Sequence, residues 1–268
     1  MNRINRGKTR LHANSDGYRP MAQPKLHRIG GLPAVAALFQ RDPGRVERLF
    51  FNDRMKAEAQ PLCQQMAAAR KPFRHVPTEE LTKVAGTPLH GGIVAVCQPK
   101  GLTPFEAVKS FNWAKAKEPL VILDGIGNPH NLGAIARTMA FFGLGRLIVS
   151  DHPEQALPSD AAFRIAEGGL EWVDVYQVAN LGKALPRLKP HYQVIGTALG
   201  AHRSMKDTFS SNDKPLALVL GNEEEGLPAT TLAACDDIVT IPGSGRVQSL
   251  NVSATAAILI HLLAGGMG

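Results

Sequence analysis

The alternation of apolar runs and helical stretches after Glu118 is the sequence feature that most constrains the fold. Two of the runs, "LVIL" at 120–123 and "LALVL" at 216–220, are apolar throughout, which is typical of parallel strands covered by helices on both faces. The order predicts a doubly wound parallel α/β sheet. The predicted strands are Leu120–Leu123, Arg146–Val149, Val173–Val178, Tyr192–Ala198, Leu216–Leu220 and Ile238–Ile241. The predicted helices are Asn131–Phe142, Ser159–Glu167, Leu181–Leu188, Pro228–Ala234 and Val252–Leu263.

The remaining sequence divides into three further parts. Residues 26–98 mix short strands and helices and predict a smaller α/β domain. Residues 99–117 are charged and contain Pro99, Gly101 and Pro104, so they predict a linker with one short helix. We therefore expect a tail over 1–25, a small domain over 26–98, a linker over 99–117 and a large domain over 118–268.

The tail carries most of the positive charge. The chain has a net charge of +7, and residues 1–25 hold six lysines and arginines against the single carboxylate of Asp16. The tail shows no apolar periodicity and is predicted to be disordered. Two interpretations stay open, a solubilising terminus and a basic arm that binds nucleic acid phosphates.

The cysteines and the apolar segments bear on location. Cys63, Cys97 and Cys235 have no CxxC spacing, which predicts neither a zinc site nor a disulfide framework and favours a reducing cytoplasm. The N-terminus lacks the apolar core of a signal peptide. The longest apolar stretch, 256–264, is interrupted by His261 and is too short to span a bilayer. We expect a cytoplasmic protein without a membrane partner.

Three loops follow predicted strands, where parallel sheets bind ligands. The first, "DGIGNPHNLGAIARTMAFFG", has Gly127 and Gly133 six positions apart, and the dinucleotide fingerprint requires three. A nucleotide-dependent oxidoreductase is therefore disfavoured. Asn131 is the predicted helix cap, Gly133 permits a close approach to the first helical turn, and Arg137 follows at the same end of the helix.

The other two loops are polar in different ways. "GNEEEGLPA" begins with Gly221 and ends before a helix. "IPGSGRVQSLNVSATAA" leads into the last helix, and Ser253 is its predicted cap. Ser249 and Asn251 then have no structural duty, and their alternation places both side chains on one side of an extended segment.

Together these loops resemble the SpoU-type RNA ribose methyltransferases of the SPOUT superfamily. The motifs are "NLGAIAR" (131–137), "LGNEEEGL" (220–227) and "IPGSGRVQSLNVS" (241–253). The segment "HGGIVAV" (90–96) resembles the end of the family's RNA-binding domain. The resemblance covers about 118–268 and extends to the smaller domain. Two residues depart from the family pattern: Gly243 stands where methionine is common, and Asn128 stands where aspartate is common.

The resemblance implies a deep trefoil knot in the large domain, a homodimer, a structured RNA substrate and S-adenosyl-L-methionine as the cofactor. It implies no metal. By the same resemblance, the cofactor would contact the chain at Gly221, Asn222, Ile241 and Leu250. The catalytic or substrate-orienting positions would be Asn131, Arg137, Glu223, Ser249 and Asn251.

The implied reaction transfers a methyl group to a ribose 2′-hydroxyl. Arg137 is a poor candidate for the base, because a guanidinium stays protonated in proteins. We expect it to bind the adjacent phosphate and to stabilise developing negative charge. Glu223 would orient Arg137 or accept a proton through water, while Ser249 and Asn251 would align the ribose.

The alternative is a non-catalytic RNA-binding or assembly factor with a methyltransferase-like fold. Ribosomal RNA is favoured over tRNA because relatives with a similar extra domain act on it, and tRNA stays open. Several cations of the smaller domain are candidate phosphate contacts: Arg28, Arg45, Arg48, Arg54, Lys56, Arg70, Lys71 and Arg74.

Overall fold

A computed structural model describes residues 25–200, 208, 213–222 and 224–265. The predicted tail lies outside this part of the chain except for Lys25, as does Glu223. In the smaller domain, four strands form a sheet in the order β1-β4-β2-β3, in which β4 is antiparallel to both β1 and β2. Its elements are β1 (His27–Gly30), α1 (Leu32–Arg41), β2 (Val46–Phe51), α2 (Lys56–Ala68), β3 (Phe73–His75), α3 (Thr78–Ala85) and β4 (Ile93–Cys97).

The larger sheet has seven strands in the order β11-β9-β10-β6-β7-β8-β5, and every pair is parallel. This confirms the predicted parallel α/β fold. Its elements are β5 (Thr103–Pro104), α4 (Ala107–Lys115), β6 (Leu120–Asp124), α5 (Pro129–Phe141), β7 (Arg146–Ser150), α6 (Asp160–Ala166), α7 (Gly169–Trp172), β8 (Asp174–Val178), α8 (Leu181–Leu188), β9 (Gln193–Thr197), β10 (Leu216–Gly221), α9 (Ala229–Ala234), β11 (Asp237–Val239) and α10 (Val252–Gly265).

Helices cover both faces of the larger sheet. On one face, α5, α6, α7 and α10 pack into a core that continues into α1, α2 and the small sheet. On the other face, α4 and α8 pack against β6 and β10 around the fully buried Tyr192. Burial on both sides explains why the central strands are apolar at every position.

Two elements were not foreseen in the sequence, and a third lies in the predicted linker. β1 is short and polar in sequence, and its pairing with β4 gives it regular structure. The four-residue helix α7 follows a turn at Gly168. Residues 99–117 contain the predicted short helix, α4, but also β5, which pairs with β8 at the edge of the larger sheet. This segment is therefore packed on the large domain rather than extended as a free linker.

Glycine permits unusually close packing of α5 against its neighbours. A Cβ atom at Gly133 would lie 2.5 Å from the Ala162 carbonyl oxygen and 2.9 Å from the Cβ of Ile165. Such distances are well inside van der Waals contact, so α6 can approach α5 only where the side chain is missing. The close approach that the sequence predicted at Gly133 is therefore made by α6.

Candidate active site

The carboxyl ends of β6, β7, β9, β10 and β11 meet at one edge of the larger sheet, because all seven strands run in the same direction. The three loops singled out in the sequence leave the sheet at this edge. They follow Asp124, Gly221 and Val239, which end β6, β10 and β11. Parallel sheets bind ligands at this edge, and the side chains of the loops therefore define the candidate site.

Buried polar side chains join the loops at their bases. The Asn222 side chain donates to the Gly125 carbonyl oxygen (2.9 Å), which ties the second loop to the first. The Thr231 hydroxyl donates to the buried carboxylate of Asp124 (2.7 Å). Gln155, from the loop after β7, accepts from the Ile126 amide (3.1 Å). Asp124, Thr231 and Gln155 were missed in the sequence, although an aspartate that ends an apolar strand is a visible signal.

The first loop begins α5 earlier than predicted. The Asn128 side chain accepts from the His130 amide (2.9 Å) and caps the helix, and Pro129 occupies the first helical turn. Proline suits that turn because its missing amide would have no helical partner. Asn131 is therefore not the cap, as the sequence had suggested. It lies inside the first turn with only 8% of its surface exposed.

The third loop is joined to the first through two asparagines. The Asn251 side-chain nitrogen donates to the Asn131 side-chain oxygen (3.3 Å), and the two residues are 120 positions apart in the sequence. The Asn251 side-chain oxygen accepts from the Ser253 amide (2.8 Å) and from the Ser253 hydroxyl (2.6 Å). Asn251 thus caps α10, and the prediction that Ser253 is the cap is wrong. Asn251 has a structural duty as well as a place in the site.

The second loop is a tight turn built around Asn222. Its main chain exchanges two hydrogen bonds with Gly226 (3.0 and 3.1 Å). Its side chain accepts from the amides of Glu224 (2.8 Å) and Glu225 (3.2 Å). A Cβ atom at Gly221 would lie 2.4 Å from the Gly226 carbonyl carbon, so glycine is required for the turn to fold back. The cofactor contacts assigned to Gly221 and Asn222 stay predictions.

Residues 241–250 form an irregular and accessible segment that bends over 245–248. Ile241 is half-buried, Leu250 is 47% exposed and Ser249 is exposed. Within the described parts of the chain, no main-chain hydrogen bond joins this segment to another main-chain group. Apart from the Arg246 amide, which donates to the Ser244 hydroxyl (3.5 Å), its main-chain groups are therefore open to a ligand. The structure places Ser249 two residues before Asn251, at the same edge of the sheet as Asn131.

Arg137 lies on α5, six residues beyond Asn131, with about half of its side chain exposed. Its Nη2 atom is 3.0 Å from a carboxylate oxygen of Glu167. Glu167 directly follows α6 and was missed in the sequence. The predicted partner, Glu223, lies outside the described residues, so its suggested contact with Arg137 stays a prediction.

The comparisons with known proteins agree with this geometry. Residues 118–261 match the model of the SpoU rRNA methylase family, which is more than half of the chain. The chain belongs to this family. It is 34% identical to the 23S rRNA (guanosine-2'-O-)-methyltransferase RlmB of Acinetobacter baylyi, over 90% of this chain and 97% of the relative. The protein of the same description from Haemophilus influenzae is 32% identical, and the match covers 90% of this chain and 98% of the relative.

Solved structures of two methyltransferases share the fold. The AdoMet-bound rRNA methyltransferase from Sinorhizobium meliloti has a TM-score of 0.73 at 20% identity. The match covers 91% of this chain and 88% of the Sinorhizobium chain. The SpoU methyltransferase AviRb from Streptomyces viridochromogenes has a TM-score of 0.71 at 20% identity, with 90% and 89% coverage. The family match over 118–261 and the 34% identity to the Acinetobacter relative confirm the motif-based resemblance.

Residues 28–102 match the RNA 2'-O ribose methyltransferase substrate-binding model. Within this part of the SpoU methylase chain, two of the candidate phosphate-binding side chains are engaged inside the protein. Arg45 is buried and pairs with Glu171 at 2.7 Å. The Lys71 ammonium donates to the carbonyl oxygens of Gly44 (2.7 Å) and Val46 (2.5 Å). Both side chains stabilise the fold. The exposed candidates that remain are Arg28, Arg48, Arg54, Lys56, Arg70 and Arg74.

The cysteines of this SpoU methylase are free thiols. Burial raises the pKa of Cys97 to about 12 and that of Cys235 to about 11, so both are protonated near neutral pH. Across the described ranges, no cluster of histidine, cysteine and carboxylate side chains is arranged to hold a metal ion. Within the same ranges, no helix has both the length and the apolar composition needed to cross a membrane.

Proposed function

We propose that this protein transfers a methyl group from S-adenosyl-L-methionine to the ribose 2′-hydroxyl of ribosomal RNA. The observation that carries the proposal is the hydrogen bond between Asn131 and Asn251, which brings the first and third motifs together at the carboxyl edge of the sheet. The predicted enzyme class is confirmed by the family match. The RNA substrate is taken from the relatives, which are described as 23S rRNA methyltransferases.

The segment over 241–250 and the turn over 221–227 suit a cofactor with an adenine and a charged amino acid end. The segment offers amides and carbonyls that are not bonded to other main-chain groups of the described residues, and such groups bind adenine edges. It also offers the apolar side chains of Ile241 and Leu250. The turn at Asn222 follows β10 at the same edge of the sheet, and the Asn222 side chain ties it to the first loop. When bound, S-adenosyl-L-methionine supplies a methyl group already activated by its positive sulfur.

The protein's own residues would position and stabilise the acceptor. Arg137 is half-exposed and remains protonated, so it would bind the phosphate next to the target ribose and stabilise charge on the attacking oxygen. Ser249 and Asn251 would align the ribose, and Asn131 would hold Asn251 in place. Glu223 remains a proposed orienting residue. All nine predicted site residues remain assignments to be tested.

The function is tested by incubating the full-length chain with S-adenosyl-L-methionine and unmodified transcripts of 23S rRNA and tRNA. We expect a 2′-O-methyl group at a defined position of the 23S rRNA and none on tRNA. Methylation of tRNA alone would move the substrate assignment to tRNA. Absence of both methylation and calorimetric binding of S-adenosyl-L-methionine would favour a non-catalytic RNA-binding factor.

Separate alanine substitutions at Ser249 and Asn251 are expected to lower turnover for different reasons. Ser249→Ala should reduce methyl transfer without changing stability, because Ser249 is exposed in the loop. Asn251→Ala should also destabilise the fold by about 1 kcal/mol, because it removes the cap of α10. Methylation rates and urea unfolding measure the two effects. Unaltered methylation by both variants would contradict the assignment.

We also propose that two chains associate through α5 and α10. The 14 residues of α10 include no lysine, arginine, aspartate or glutamate. Its exposed residues are Ala254, Ile258, His261 and Gly265. Phe141, at the end of α5, is 82% exposed, and its neighbour Phe142 contacts the His261 ring at 5.5 Å. A contiguous apolar surface of this kind marks a protein interface. The symmetric partner is a second copy of the chain.

Phe141→Lys is expected to convert the dimer to a monomer, because it places a charge in the centre of this apolar surface. Light scattering after size exclusion should give twice the 28.8 kDa chain mass for the unaltered protein and one chain mass for the variant. Val108→Lys is the control, since Val108 is similarly exposed on α4, on the other face of the sheet. A monomeric unaltered protein, or a dimeric Phe141→Lys variant, would contradict the proposed interface.

The trefoil knot, the RNA-binding role of the smaller domain and the cytoplasmic location belong to the same proposal. The path of the chain supports the knot. It leaves β11 at one edge of the sheet, and α10 then returns to pack on α5 and against β10 in the middle. The substrate-binding family model supports the role of the smaller domain, for which we keep the boundaries 26–98. A basic arm over 1–25 would add phosphate contacts.

A further inference from the structure

Glu167 occupies an unusual main-chain position next to Arg137. It ends α6 with a φ of 44°, in the left-handed region that side chains other than glycine rarely adopt. From this position its carboxylate lies 3.0 Å from the Arg137 Nη2 atom. The two side chains come from α5 and from the corner between α6 and α7, thirty residues apart in the sequence.

The two glycines that follow hold this corner in place. A Cβ atom at Gly168 would lie 2.9 Å from the Ala37 side chain on α1. A Cβ atom at Gly169 would lie 2.7 Å from the Arg137 Cα atom. The corner is therefore packed between the smaller domain and α5 with no space for an added methyl group. This packing fixes the distance between the main chains of Glu167 and Arg137.

We propose that Glu167 is the positioning residue for Arg137 in the reaction proposed above, on which this inference rests. An arginine side chain is long, and its planar fork must face the substrate to donate two hydrogen bonds. A carboxylate on Nη2 restricts the fork and leaves Nη1 and Nε to donate to a phosphate or to the attacking oxygen. Glu167 acts through Arg137 and does not itself contact the substrate.

The exposure of the two side chains distinguishes a positioning role for Glu167 from a role in the stability of the fold. The Arg137 and Glu167 side chains are 56% and 53% exposed, and ion pairs with such exposure contribute little to folding. Removing the Glu167 charge should therefore change catalysis without changing the unfolding temperature. A carboxylate also competes with RNA phosphate for the same guanidinium, and a faster Glu167→Gln variant would show that this competition outweighs positioning.

The experiment compares Glu167→Gln, Arg137→Ala and the double variant in methyl transfer to an unmodified 23S rRNA transcript at saturating S-adenosyl-L-methionine. Glutamine keeps the size of the side chain and removes its charge. We expect kcat to fall roughly tenfold, as for a misplaced catalytic group, with KM for the transcript changed by less than about twofold. In the Arg137→Ala background, Glu167→Gln should have no further effect.

Glu106→Gln is the matched control, because Glu106 and Lys109 form an ion pair of similar length (2.9 Å) and exposure (56% and 47%) at the start of α4. It should leave kcat unchanged. If the unaltered protein is active and Glu167→Gln is equally active or faster, the inference is wrong while the proposed function stands. A full additive effect in the Arg137→Ala background would have the same meaning. An unaltered protein that methylates neither rRNA nor tRNA would overturn the proposed function together with the inference.

Discussion

Arg137→Ala is expected to reduce methyl transfer roughly 100- to 1,000-fold, the usual effect of removing one preorganised donor to a developing oxyanion. The guanidinium is the only assigned catalytic group with a permanent positive charge. Arg137 is 56% exposed and pairs with Glu167, so the protein should remain folded without it. Single-turnover methylation of a 23S rRNA transcript measures the loss.

Arg137→Lys distinguishes charge from geometry. Lysine keeps the positive charge and loses the planar fork that binds two oxygens at once. We expect it to recover only part of the activity lost in Arg137→Ala. Full activity of Arg137→Lys would rule out a bidentate clamp on phosphate.

The control measurements for Arg137 concern the cofactor and the fold. Calorimetric affinity for S-adenosyl-L-methionine and the unfolding temperature should match those of the unaltered protein, because Arg137 is assigned to the RNA. Arg187→Ala removes an exposed arginine from α8, on the other face of the sheet, and should leave the rate unchanged. An equal loss in both variants would mean that general electrostatic attraction to RNA, rather than Arg137 itself, sets the rate.

Arg45→Ala is expected to lower the free energy of unfolding by about 3–5 kcal/mol, as for other buried ion pairs that lose one partner. Arg45 and Glu171 join the two domains at 2.7 Å, and their side chains are only 11% and 2% exposed. The other Glu171 carboxylate oxygen is buried without a hydrogen-bond partner among the described residues. Without Arg45 the charge on Glu171 would lack its partner.

The Lys100 ammonium lies close to this pair but does not replace Arg45. It donates to the carbonyl oxygens of Leu170 (2.5 Å) and Val173 (2.9 Å). Burial lowers the pKa of Lys100, although the nearby Glu171 carboxylate opposes the shift. Lys100 is thus already engaged by the main chain of the larger domain.

Urea unfolding checks the effect of Arg45. Arg48→Ala is the control, because Arg48 is an exposed arginine on the same strand, β2, and its loss should change stability little. Arg45→Met combined with Glu171→Leu should recover most of the lost stability, since it removes both charges and keeps apolar volume. Unfolding of Arg45→Ala at the same urea concentration as the unaltered protein would contradict the assigned role of the pair.

Most strands and helices of the larger domain could be located from local sequence. A strand that is buried on both faces is apolar at every position, so "LVIL" and "LALVL" mark β6 and β10 directly. Shorter elements gave no such signal. β1 and β5 are ordered by pairing with β4 and β8, distant in sequence, and pairing of this kind leaves little trace in four or two residues.

The helix caps were located to within three residues but were assigned to the wrong side chains. Asn131 and Ser253 have the right chemistry for caps, but Asn128 and Asn251 occupy the positions where the main chain enters each helix. Several capping residues occur in each loop, and local propensity does not choose among them. The choice depends on where packing begins the helix.

The sequence by itself determined the parallel sheet, the edge at which its loops meet and the family to which the chain belongs, because these follow from apolar patterning and short motifs. Only the tertiary structure decided that Asn251 reaches Asn131, that Glu167 faces Arg137 and that Arg45 is buried against Glu171. These contacts join residues that are 30 to 126 positions apart. Propensity acts over a few residues, whereas such contacts depend on strand order and on helix packing.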